Sequence, residues 1–131
     1  MKRKQFLIVS AVVSMMFGIP MILAPNLVLA NLLLPGVANA STAMVMQILG
    51  SSLLATAFVN LLSRNDEGSV ALRAIMIGNI IWHVVGWGVD FHGYFSNIMN
   101  PVGLISGSVV HAGLIIGFAY YLSKLPRPAK A

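Results

Sequence analysis

The chain has 131 residues, of which 58% are hydrophobic and only 8% charged. A soluble domain is about a quarter charged, so this one lacks the polar surface to cover a globule in water. That excludes a soluble enzyme, a nucleic-acid reader or a disordered tail. Cysteine is absent, which removes disulfides, thiolate metal sites, iron–sulfur ligation and cysteine nucleophiles.

A helix needs roughly 20 mostly apolar residues to cross the hydrocarbon of a bilayer. Four runs meet that length, at about residues 6–24, 42–62, 70–89 and 101–122. None shows the strict alternation of a membrane strand, so helices are predicted rather than a barrel. The fold expected is all-α, a single transmembrane domain over residues 1–131 built as a four-helix up-down bundle. Met1-Lys2-Arg3-Lys4 followed by an apolar run, with Ala38-Asn39-Ala40 beyond it, resembles a secretory leader. The apolar run is too long and the cleavage-like box too distant, so an uncleaved first span is expected.

Pro20 falls inside the first span, where it removes one backbone hydrogen bond and predicts a kink. The loop 25–41 is unusually apolar and bounded by Pro25 and Pro35. It predicts a short interfacial or re-entrant helix, either a cap on the bundle or a lid. Asp66 and Glu67 lie just before the third span, where a helix dipole favours acids. Phe91-His92-Gly93-Tyr94-Phe95 reads as an aromatic belt in the second outer loop.

The net charge of +5 is explained by position. Lys2, Arg3 and Lys4 precede the first span, Arg64 and Arg73 flank the second turn, and Lys124, Arg127 and Lys130 follow the fourth span. The loops 25–41 and 91–100 have no Lys or Arg. This positive-inside pattern predicts a multi-pass inner-membrane protein with both termini cytoplasmic. It offers no argument for nucleic acid.

Because lipid does not drive helices together, small residues mark close contacts. Ser10, Ser14 and Gly18 form such a stripe in the first span, and Gly103/Gly107 and Gly113/Gly117 form two in the fourth. They serve either packing within the chain or a membrane-protein partner or second copy. Ser52, Thr56 and Asn60 share that spacing in the second span.

Polar groups inside a bilayer are costly and so point to function. Asn79, His83, Trp87 and Asp90 fall on one face of the third span, continued inward by Met76, and Ser108 and His111 share a face of the fourth. At a rise of about 1.5 Å per residue, His83 sits roughly 10 Å and His111 roughly 15 Å from the outer ends of their helices. Asp90 and His92 are expected at the outer surface. Gln47 and Ser51 face the outer half of the second span.

Three functions follow. The first is a non-enzymatic accessory or scaffold subunit that packs against a partner through its glycine faces. The second is a ligand-binding bundle in which His83, His111, Asn79, Trp87 and Ser108 hold a haem, a quinone or a lipid. The third is a small oligomeric channel or transporter. No catalytic group is expected, since Ser108 and His111 have no third member. Nor is a metal, the set Asp90, His92 and His83 being too unspecific.

Overall fold

The computed structural model describes residues 1–126. Five α-helices follow in chain order: α1 (Arg3–Leu23), α2 (Pro25–Leu32), α3 (Ala40–Leu62), α4 (Val70–Phe95) and α5 (Pro101–Ser123). A 3-10 turn, Ser63–Asn65, continues α3. Among the described residues there is no strand, only one isolated antiparallel bridge, Leu33 to Met99. α1, α3, α4 and α5 are each long and apolar enough to cross a membrane.

The helix limits follow from capping chemistry. Asn39, inside the cleavage-like box, accepts a hydrogen bond from the Thr42 amide at 3.0 Å, and its own amide donates to Thr42 Oγ1 at 2.7 Å. This reciprocal cap starts α3 two residues before the apolar run begins. Ser69 caps α4 by accepting from the Leu72 amide, and Asn100 caps α5 by accepting from Gly103. Pro25 and Pro101 occupy first-turn positions, where a missing N–H costs nothing. Pro20 lies within α1, which continues to Leu23 and breaks only at Ala24.

One boundary differs from expectation. Phe91 to Phe95, read from sequence as a loop, form the last turns of α4. Hydropathy marks where lipid contact ends, whereas the backbone continues until a residue leaves the helical region. That residue is Asn97, at φ 57°.

α1 lies along α3 and α4 lies along α5, while the two pairs touch each other only narrowly. The α1–α3 seam closes at Gly18 and Gly50. A Cβ on Gly50 would sit 2.7 Å from the Gly18 carbonyl oxygen, and one on Gly18 would sit 2.9 Å from that of Gly50. Backbone therefore meets backbone, the approach that small residues permit in lipid.

The pairs are joined at both ends. At the basic end, Phe6 packs edge-to-face on Phe118 at 4.8 Å within a buried cluster with Leu7, Leu72, Met76, Leu114 and Leu125. Arg3 donates to the Asp66 carbonyl, Tyr121 to the Met1 carbonyl, and Arg73 to the Leu125 carbonyl at 2.8 Å. The start of α1, the α3–α4 turn and the end of α5 thus meet. Arg127 and Lys130, counted in the charge pattern, lie outside the described residues.

At the neutral end Asn100 is the fastener. Its amide nitrogen donates to the Leu32 carbonyl at 3.0 Å, and its side chain donates to Asn31 and Leu33 carbonyls at 2.9 and 3.3 Å. The Leu34 amide bonds the Ile98 carbonyl alongside. α2 sits so close to α5 that a Cβ on Gly103 would come within 2.6 Å of the Leu32 carbonyl oxygen.

Candidate functional site

Between the two pairs lies a cleft of about 690 Å³ lined by all four long helices and the end of α2. Each long helix gives it a stripe at helical spacing: Val13, Phe17 and Met21 from α1; Met46, Leu49 and Leu53 from α3; Gly78, Trp82 and Val85 from α4; Gly107, Val110 and Leu114 from α5. The volume is that of ordinary small-molecule pockets, about 300–1,000 Å³. Ile81, Val85 and Val89 line it and are also exposed, so it opens sideways across α4. Toward the basic end it is closed by the Phe6–Phe118 cluster.

The polar face of α4 takes three different partners. Nearest the basic end, Asn79 and Asn60 of α3 exchange side-chain hydrogen bonds at 3.1 and 3.2 Å. Asn60 also donates to Ser10 of α1 at 3.1 Å, and all three are buried. This amide cluster links α1, α3 and α4, and it lies off the cleft. Sequence reasoning grouped Asn60 with small packing residues; the available signal was an amide within an apolar run.

Next comes His83, 3% exposed, whose Nδ1 lies 2.9 Å from Nδ1 of His111. His111 Nε2 in turn stands 3.4 Å from Asp90 Oδ2. These three form a chain from α4 to α5 and back. An ionised Asp90 only accepts, so His111 Nε2 carries the proton that faces it. A neutral His111 then accepts at Nδ1 and His83 donates from its own Nδ1. His83 Nε2 is left unprotonated, and that atom is buried without a partner. An unpaired acceptor is the milder of the two possible orphans.

Glycines make room for this chain. A Cβ on Gly86 would lie 2.9 Å from His111 Cε1, and one on Gly107 would overlap the Asp90 carboxylate. Trp87, one turn beyond His83, donates its indole N–H to Ser108 Oγ at 2.9 Å. Ser108 Oγ therefore accepts from an indole, and among the described residues its hydroxyl is not paired with a histidine.

Asp90 is the main departure from the sequence reading. It was expected at the surface with His92, but α4 continues for five residues past it, about 7.5 Å of helix. Its carboxylate folds against α5, with 16% of the side chain accessible. The order also changes, since His111 stands between His83 and Asp90. His92 is exposed and takes no part. Among the described residues no three His, Asp or Glu side chains gather as a metal site.

The haem reading loses its geometric support here. An iron held by both imidazoles needs ring nitrogens about 4 Å apart, twice a metal–imidazole bond of about 2.0 Å. At 2.9 Å the two rings share a proton instead.

The small-residue stripes divide as follows. Ser10 joins the amide cluster, Ser14 lines the cleft and Gly18 meets Gly50. Gly103 seats α2, Gly107 seats Asp90 and Gly117 seats Phe6, whereas Gly113 faces open space. Gln47 donates to the Ile22 carbonyl at 3.1 Å and Ser51 to the Gln47 carbonyl, both backbone contacts away from the site.

No family model matches the chain, and neither a curated protein nor a solved structure is similar to it.

Proposed function

We propose that this chain is a non-enzymatic membrane protein of the inner membrane that binds a lipid-soluble molecule in the cleft between its helix pairs. In this reading the four long helices cross as an up-down bundle with the basic end cytoplasmic, in keeping with the distribution of Lys and Arg. The observation that carries it is the cleft itself: about 690 Å³, almost wholly apolar, with the Asp90–His111–His83 chain on one wall. An apolar volume with a few convergent polar groups is the usual form of a small-molecule site. Its lateral opening suits a ligand that arrives from lipid, such as a quinone, a sterol or another amphiphile.

Two other readings are less well supported. A scaffold subunit needs a free close-packing face, yet three of the four α5 glycines are filled from within the chain. Gly113 is what remains for a partner or second copy. A channel needs a continuous wet path, and an ion entering the cleft would meet Phe6, Leu72, Met76 and Phe118 at the basic end.

The test is native mass spectrometry of the chain extracted in mild detergent, beside its Gly78→Phe variant. Gly78 lines the cleft and a Cβ there meets nothing within 4 Å, so a side chain can be added at the cleft wall. The expected result is a stoichiometric small molecule on the natural chain and its loss from the variant. A bare chain held to other proteins would overturn this reading in favour of the scaffold.

A further inference from the structure

Asp90 is the only charged residue between Arg73 and Lys124, and none at all lies between Lys4 and Arg64. It lines the cleft and opens partly onto it. Its Oδ2 faces His111, while its Oδ1 takes no hydrogen bond among the described residues. The groups around it are easily named. α4 brings His83 as well as Asp90, α5 brings His111, and the lining residues of α1, α2 and α3 include no titratable side chain. The cleft therefore holds one fixed acid and no fixed base. With His111 neutral, the positive charge that balances Asp90 has to come from what the cleft binds.

Resting on the reading of the cleft as a ligand site, we propose that it selects lipophilic cations: amines with a hydrocarbon body, whose ammonium seats on Asp90. Three features converge on that class. A carboxylate in an apolar wall with only a neutral imidazole beside it is expensive to bury and is relieved by an opposite charge. The rest of the cleft is hydrocarbon, which accepts a chain but repels a second polar group. Phe17 and Trp82 on its walls add aromatic faces, which attract cations.

No proton need move: an ammonium beside Asp90 supplies the balancing charge, and the neutral imidazole of His111 stays between Asp90 and His83. Anionic amphiphiles are refused by the same carboxylate. Neutral ones gain the apolar contact alone.

The experiment places the chain in phosphatidylcholine nanodiscs and titrates three probes sharing one hydrocarbon chain: dodecylamine, 1-dodecanol and dodecanoate. Binding is followed by Trp emission and by the ¹⁵N shifts of the histidine rings. Dodecylamine is expected to bind at least about tenfold tighter than 1-dodecanol, and dodecanoate weakest. Asp90→Asn should erase the preference for amine while 1-dodecanol still binds. Equal binding of amine and alcohol, or a preference unchanged in Asp90→Asn, would overturn the cation inference and leave the cleft a lipid site. Failure of all three probes on the natural chain would overturn both.

Discussion

The two helix pairs use glycine for opposite ends. In the α1–α3 seam, Gly18 and Gly50 let two backbones touch. In the α4–α5 seam, Gly86 and Gly107 hold the helices' side chains instead, one an imidazole and the other a carboxylate. Deleting a side chain can thus close a seam or furnish it. The first pair is a strut closed backbone to backbone, and the second is a wall that carries the Asp90–His111–His83 chain.

The contrast is broken most severely by Gly50→Leu. Neither backbone can yield, so α1 and α3 must part; a loss of about 3 kcal/mol or more is expected, read by denaturant unfolding in detergent. Gly113→Leu, facing open space, should stay within about 0.5 kcal/mol. A similar cost in both variants would mean that seam contact is not what holds the strut.

Asn60→Ala should come next. It leaves Asn79 and Ser10 without their buried partner and is expected to cost about 1–3 kcal/mol, while probe binding in the cleft is unchanged. Gly107→Ala sharpens the other side. Its methyl displaces the Asp90 carboxylate, so the amine preference should fall by about tenfold with a stability loss near 1 kcal/mol. Trp87→Phe, which deletes the indole bond to Ser108, should cost only about 0.6 kcal/mol.

The smallest effect belongs to the turn at the basic end. Asp66 accepts from the Ser69 hydroxyl and from the Ser69 and Gly68 amides, which lower its pKa from 3.8 to about 2. A lowered pKa adds stability that is complete above pH 4 and is lost as the pH falls toward 2. Asp66→Asn should therefore differ from the natural chain near neutrality and converge with it at the acid end of that window. A gap that widens on acidification would contradict the assignment.

The sequence shows the spans clearly because burial in lipid needs unbroken apolar length, and α3, α4 and α5 begin within two residues of where hydropathy and turn residues place them. The far end of α4 was not legible, since aromatic residues suit both a belt and a helix. That error of one and a half turns moved Asp90 from the wall of the cleft to the surface. Spacing alone put Asn79, His83, Trp87 and Asp90 on one face of α4, but it says nothing about how α5 is rotated. Whether His111 meets His83 or lipid depends on that rotation, which Gly86 and Gly107 fix by leaving room at two adjacent turns. Asn60 was hidden by a spacing shared with true packing residues.

Asn100 has a further consequence. By tying the loop after α2 to the start of α5, it fastens the neutral end while the apolar cluster blocks the basic one. Among the described residues the cleft opens across Ile81, Val85 and Val89, the side that would face the bilayer if these helices cross it. Under the proposed function, occupancy would respond to mole fraction in the membrane rather than to concentration in water. Two compounds of equal intrinsic fit would compete according to how strongly each partitions into lipid, so the bilayer acts as the first stage of selection.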